Sequence, residues 1–152
     1  MAPTPEWYWY TTMGQVYIMQ ADHELTREDY RQAGEKAWGA VSTAIKSIAE
    51  QRGWRHNHHR STGNALRELA DEFGQEQLKH WFATVEDLHD NFYEGDRTEA
   101  EVRDGVDTAK DLVEALAVLR RERPRDIPDR SNNQKQRWAM LNGRPWKPGG
   151  QG

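Results

Sequence analysis

Residues 29–53, DYRQAGEKAWGAVSTAIKSIAEQRG, decide the fold class. Apolar side chains recur in this stretch every three or four residues, namely Tyr30, Ala33, Ala37, Val41, Ala44 and Ile48. That spacing places them on one face of a helix, because an α-helix completes a turn in about 3.6 residues. Thr26 is the predicted N-cap, and Gly53 is a natural left-handed end. The stretch therefore predicts one long helix with a face of small side chains that a neighbouring helix can approach closely.

The same periodicity predicts four further helices, at about residues 5–21, 61–73, 75–93 and 98–119. Thr98 and Glu101 have the spacing of a capping box at the start of the last one, and Pro124 stops it. No segment between the helices alternates with the two-residue period of a strand. Because short connections place successive helices side by side, we expect an all-α, antiparallel, up-and-down bundle of about five helices.

Charge divides the chain into two parts. Residues 1–123 carry 15 Lys/Arg and 23 Asp/Glu, a net charge of −8, whereas residues 124–152 carry 6 Lys/Arg and 2 Asp, a net charge of +4. The second part is rich in proline, glycine and polar residues, a composition that buries little apolar surface. We therefore predict a helical bundle over residues 1–123 and a basic, disordered tail over residues 124–152. The tail could contact nucleic acid, or dock on the acidic body.

Composition also limits the location and the chemistry. The chain has no cysteine, which excludes disulfides, thiolate catalysis and cysteine-bound zinc. No apolar run reaches the roughly 18 residues of a membrane span, and residues 1–6 have no basic region typical of a signal peptide. We expect a cytoplasmic protein without membrane contact or cofactor. The motifs of P-loop nucleotide hydrolases, dinucleotide-binding enzymes, zincins and α/β hydrolases are all missing.

The most unusual local feature is the loop RGWRHNHHR at residues 52–60, with three arginines and three histidines. It has three interpretations: a solvated polar loop, an anion site and a metal site. Arginines beside a helix N-terminus attract anions, which makes Arg55, His56 and Arg60 candidate binding residues. Three histidines could bind zinc, nickel or copper, but adjacent histidines chelate one ion poorly and no nearby carboxylate completes the set.

Five residues outside the loop have polar or aromatic side chains of interest. His89 falls within the apolar stripe of the fourth predicted helix, where burial would keep its imidazole neutral. Glu35, Ser42 and Lys46 lie nearly opposite the apolar face of the second helix, which predicts a solvated face or an oligomer contact. Trp38 lies between the two faces and is predicted to be half-buried.

Two blocks, EKAWGA at residues 35–40 and LHDNFYE at residues 88–94, carry a family resemblance. Together with residues 29–34, Lys46, RGW at residues 52–54 and His59, they resemble the archaeal PaREP-type family over about residues 24–119. That family is grouped with the HEPN-like helical bundles. The resemblance adds the block residues to the candidate binding residues, namely Lys36, Trp38, His89, Asn91 and Tyr93.

The resemblance implies that the chain forms a homodimer. The first hypothesis is a non-catalytic module that binds a nucleic-acid or protein partner in a prokaryotic stress, defence or toxin–antitoxin setting. The second is a metal-independent RNase, since HEPN-like RNases pair an arginine with a histidine five to seven positions later across a dimer cleft. Arg52 with His58 or His59 meets that spacing, which makes these three the candidate catalytic residues. A metal-binding histidine loop is the third hypothesis.

Overall fold

The structure, a computed structural model, describes residues 5–56, 59–94 and 97–144. Six α-helices account for most of these residues, and no strand occurs among them. The helices are α1 (Glu6–Thr26), α2 (Tyr30–Arg52), α3 (His59–Phe73), α4 (Gln77–Glu94), α5 (Glu99–Arg120) and α6 (Asn132–Asn142). The all-α prediction is confirmed, with six helices instead of about five. The antiparallel, up-and-down order stays a prediction.

α2 is the central helix, because it contacts α1, α3, α4 and α5. Its alanines at 33, 37, 40 and 49 are fully buried, and so are Val41 and Ile45. Small side chains on several sides of one helix let several neighbours pack against it at short range. α2 is therefore buried on more of its surface than the single apolar face that the sequence predicts.

α1 packs along α2 through small residues and a pair of hydroxyls. A Cβ added at Gly14 would lie 3.5 Å from the Ala40 carbonyl oxygen, which shows how closely the two backbones approach. The Ser47 hydroxyl on α2 donates to the Trp7 carbonyl oxygen at 2.9 Å and lies 2.7 Å from the Thr11 hydroxyl. These contacts fix the inner side of α1 against α2.

The predicted end residues of α2 and α5 are confirmed, except at the start of α2. Thr98 and Glu101 form the predicted capping box at the start of α5, and Gly53 ends α2 in the left-handed conformation. Thr26, however, is the last residue of α1, and the Asp29 side chain caps α2 by accepting from the Gln32 amide. The predicted Thr26 cap is wrong because α1 continues to the buried Leu25.

A sixth helix lies in the segment that the sequence predicts to be disordered. α6 opens with a capping box between Ser131 and Gln134 and ends at Gly143, which is left-handed. Trp138 and Leu141 bury the apolar side of this helix, which contacts α3. The prediction of disorder over residues 124–152 is therefore wrong for residues 132–142. The division of the chain at residue 123 stays a prediction, and residues 145–152 lie outside the described part.

In the described part of the chain, no helix is long and apolar enough to cross a membrane.

Candidate functional site

The two sequence blocks that carry the family resemblance meet in space where α2 contacts α4. His89 Nδ1 lies 3.0 Å from Glu35 Oε2. The His89 ring stacks on the indole of Trp38, with ring centroids 5.1 Å apart. Glu35 and Trp38 come from the first block and His89 from the second. We call these three residues the α2–α4 cluster.

Close helix packing holds the α2–α4 cluster in place. Leu88, the neighbour of His89, lies between two glycines: a Cβ at Gly34 would be 3.4 Å from the Leu88 Cβ, and a Cβ at Gly105 would be 2.6 Å from its Cδ1. Any side chain at Gly105 would push against Leu88. The two glycines therefore let α4 pack tightly between α2 and α5, and this positions His89 against Glu35.

The α2–α4 cluster has the geometry of an oriented histidine. A carboxylate at Nδ1 favours the tautomer with its proton on that nitrogen and stabilises the imidazolium after protonation. Roughly a quarter of the His89 side chain and a third of the Glu35 side chain are exposed, at 25% and 31%. Trp38 is 8% exposed and also packs on Phe82, with centroids 5.6 Å apart. The histidine is thus held on two sides and still reaches solvent.

Two predictions about α2 are wrong at this point. Glu35 is predicted on a solvated face but lies against α4, and Trp38 is buried, not half-buried. The reason is that α4 packs against the part of α2 that carries Glu35 and Trp38. The Lys36 side chain, unlike those of Glu35 and Trp38, lies against α1, with its ammonium 5.6 Å from the centroid of the Tyr17 ring.

The loop after α2 is held by internal contacts. Arg52 donates to Glu72 at 2.6 Å and stacks over Trp54, with its guanidinium carbon 5.0 Å from the ring centroid. His56 Nε2 lies 2.7 Å from Glu50 Oε2. The Arg55 amide donates to the Leu141 carbonyl oxygen, which ties the loop to the end of α6. Arg52, the predicted catalytic arginine, thus forms an ion pair with α3.

Four of the predicted site residues have side chains outside the described part of the structure. His58 lies outside the described residues, and so do the side chains of His59, Asn91 and Tyr93, whose backbones belong to α3 and α4. Arg55 and Arg60 are exposed. The convergence of His58 or His59 with Arg52 at a dimer cleft therefore stays a prediction. Within the described ranges, no group of three His, Asp or Glu residues could hold a metal ion.

Sequence reasoning missed a cluster of charges between α3 and the C-terminal segment (residues 124–144). Glu68 accepts from Arg130 at 2.6 and 3.1 Å and from Arg137 at 3.0 Å. Arg137 and Gln134 also donate to Asp71, at 2.8 and 3.0 Å. The only signal in the sequence is the i, i+3, i+4 spacing of acidic residues on α3, which places them on one face.

Asp71 shows the electrostatic effect of this cluster. Burial disfavours its charged form, but hydrogen bonds from Lys79, Gln134 and Arg137 outweigh burial and lower the pKa of Asp71 to about 2. Its carboxylate is therefore ionised at neutral pH and holds α6 to α3.

Comparison with known proteins identifies the family. The family model of the archaeal PaREP1/PaREP8 family matches residues 10–113, a range that includes the α2–α4 cluster and excludes α6. No curated protein and no solved structure matches the chain. Because the match covers more than half of the chain, the protein belongs to the archaeal PaREP1/PaREP8 family.

Proposed function

We propose that this chain is a HEPN-like helical module that works as a homodimer, joined through the outer face of α1. This face consists of the exposed residues Tyr8, Trp9, Thr12, Gln15 and Met19. The observation that carries the proposal is the exposure of three large apolar side chains on it: Tyr8 is 54% exposed, Trp9 56% and Met19 71%. Exposed apolar side chains grouped on one surface are typical of contact sites.

The composition of α1 supports a protein partner. Residues 7–21 carry no charged side chain, although 30% of the whole chain is charged. Interface cores are poor in charge and rich in tyrosine, tryptophan and methionine. α1 packs on α2 and α5, and its outer face has none of the charged side chains that are typical of a surface helix. An uncharged face can also contact its own copy without repulsion, as the common two-fold dimer requires.

The dimer would serve to bind a further partner. The HEPN-like resemblance favours a nucleic-acid or protein partner in a prokaryotic stress, defence or toxin–antitoxin setting. The outer face of α1 joins the two copies in this proposal, and the rest of each bundle is left for the partner.

Light scattering after size-exclusion chromatography tests the dimer. We expect the wild type to elute at about twice the chain mass of 17.7 kDa, and Met19→Glu at the mass of one chain. The matched control is Met140→Glu on α6, which adds the same charge at another exposed methionine and should remain dimeric. A monomeric wild type at about 100 µM, a typical concentration for such a measurement, would overturn the proposal, as would equal dissociation of both variants.

A second function, metal-independent RNA cleavage, is favoured by the contact between His89 and Glu35. In this proposal His89 Nε2 takes the proton of a ribose 2′-hydroxyl, and the Glu35 carboxylate stabilises the imidazolium. The 2′-oxygen attacks the phosphorus, the bond to the 5′-oxygen breaks, and that oxygen takes a proton from water. The products are a 2′,3′-cyclic phosphate and a 5′-hydroxyl.

Incubation with single-stranded RNA tests this second function. We expect His89→Ala to lose about 100-fold or more of the cleavage rate, the usual contribution of general acid–base catalysis. Glu35→Gln should lose less, because it removes only the orienting charge. The control is His80→Ala, which removes an exposed histidine of the same helix and should leave the rate unchanged. Intact RNA with the wild type, or equal rates in His89→Ala and wild type, would refute it.

A further inference from the structure

A polar cleft of about 340 Å³ lies between the end of α2, α3 and the C-terminal segment. Four arginines line it: Arg52, Arg125, Arg130 and Arg144. Trp54 and Trp138 contribute its aromatic walls. Its volume is at the lower end of the range for small-molecule sites, roughly 300–1,000 Å³.

The charges in this cleft do not cancel. Arg130 pairs with Glu68 and Arg52 pairs with Glu72, each with a shortest distance of 2.6 Å. Arg125 and Arg144 have no carboxylate within ion-pair distance in the described part of the chain. Asp126, at the exposed mouth, is the acidic lining residue that remains. The cleft therefore carries a net positive charge on a protein whose net charge is −4.

Aromatic rings and backbone contacts hold the two arginines in place. The Arg125 guanidinium carbon lies 4.9 Å from the centroid of the Phe73 ring, and that of Arg144 lies 5.6 Å from the Trp138 ring. The Arg125 amide donates to Glu72, and the Arg144 amide donates to the Ala139 carbonyl oxygen. A stacked guanidinium keeps its N–H groups around its edge, where they can bind a phosphate in bidentate fashion.

We propose that this cleft binds the phosphate group of a nucleotide or of RNA, with Arg125 and Arg144 as its ligands. Both residues are exposed, so that an incoming phosphate can reach them. The site is new relative to the predicted anion site, because its ligands belong to the C-terminal segment and not to the 52–60 loop. Arg125 and Arg144 also lie outside the region matched by the family model.

The proposal is independent of the dimer and of the α2–α4 cluster. All residues of the cleft belong to one chain. Arg52 lies 17 residues after Glu35 on α2, so the two sites are about 26 Å apart along that helix. Phosphate binding can thus be measured with dimer variants and His89 variants alike.

Isothermal titration calorimetry at low salt tests the site, with inorganic phosphate, 5′-AMP and a short single-stranded RNA as separate probes. The test variant is Arg125→Gln/Arg144→Gln. The control is Arg67→Gln/Arg121→Gln, which removes two exposed arginines that do not line the cleft. We expect at least one nucleotide probe to bind the wild type and the control equally, and the test variant to bind about tenfold or more weakly.

The three probes distinguish the source of the phosphate. Binding of 5′-AMP indicates a nucleotide site, and binding of the RNA alone indicates a site for a polymer phosphate; both support the proposal. Circular dichroism checks that the test variant folds, and Arg125→Lys/Arg144→Lys gives a second comparison that keeps the charge and loses the bidentate geometry. Failure of all three probes at millimolar concentration overturns the proposal, and so does equal weakening in test and control variants.

Discussion

Glu68 is the residue on which the packing of the C-terminal segment depends most. Its side chain is 2% exposed, and that of Arg130 is 5% exposed. Replacing Glu68 by glutamine leaves Arg130 buried without its countercharge, a change that typically costs about 3–5 kcal/mol. We expect the free energy of unfolding of Glu68→Gln, measured in urea, to be lower than that of the wild type by an amount in this range. The control Glu76→Gln removes an exposed partner of Lys79 and should cost less than about 1 kcal/mol. If both substitutions lower the free energy of unfolding equally, Glu68 does not have this role in the packing of the C-terminal segment.

Asp71 makes the stability depend on pH. Its pKa is lowered from 3.8 to about 2 in the folded protein, so the unfolded chain binds a proton first as the pH falls. The stabilisation is therefore complete above about pH 4 and is lost between pH 4 and pH 2. After allowance for screening by solvent, the loss amounts to about 1–2 kcal/mol. Urea midpoints at pH 5, 3 and 2 measure this loss of stability. Asp71→Asn has no carboxyl group at this position and should lose less stability over this pH range than the wild type.

The limits of sequence reasoning are clearest at single residues. Helical spacing places His89 within the apolar stripe from local periodicity alone, and in the structure its ring lies against Trp38 with 25% of the side chain exposed. Its partner Glu35 is 54 residues away in the sequence, and no local pattern connects the two. Arg52 gives a second example: its spacing to His58 and His59 connects it with residues of its own loop, whereas its ion-pair partner Glu72 lies on the next helix.

At the scale of elements, helix prediction succeeds where an apolar face is long. α2 to α5 each bury a continuous apolar stripe, and the sequence predicts all four. α6 has 11 residues and buries only Trp138 and Leu141, too few to give a clear period. It is stabilised instead by its capping box and by ion pairs of Arg137 with Asp71 and Glu68, contacts that join residues 66 and 69 positions apart. A helix held in this way resembles a disordered basic tail in its sequence.

Hydrogen exchange can test whether α6 is a docked helix. We expect the amides of residues 136–142 to exchange slowly, because they bond within the helix and the helix is held against α3. Ser131→Ala removes the N-cap and should destabilise α6 by about 1 kcal/mol. The amides of α6 should then exchange about fivefold faster, while the exchange rates of the amides in α2 and α4 stay the same. Rapid exchange throughout residues 136–142 in the wild type would instead support the disorder that the sequence predicts.

Over the whole molecule, opposite charges join the two parts of the chain. The sequence predicts the charge of each part, and docking of the tail on the acidic body is one of the alternatives that it leaves open. The structure shows where the contact occurs: Glu68, Asp71 and Glu72 on one face of α3 meet Arg130, Arg137 and the Arg125 amide. The sequence could not locate this contact, because acidic residues occur on every predicted helix.

Removal of residues 124–152 should therefore reverse the sign of the Glu68→Gln effect on stability. Without the C-terminal segment, Glu68 loses Arg130 and Arg137. It then lies four residues from Glu72 on α3, and like charges at that spacing destabilise a helix.

In the truncated chain, Glu68→Gln is expected to raise the free energy of unfolding by about 0.2–0.5 kcal/mol, because it removes one of the two repelling charges. In the full chain the same substitution lowers the free energy of unfolding, since there Glu68 has Arg130 as its partner. Urea unfolding of both chains, each with and without the substitution, measures the difference at pH 7. If Glu68→Gln destabilises both chains equally, its role does not depend on the C-terminal segment, and the electrostatic account of docking is wrong.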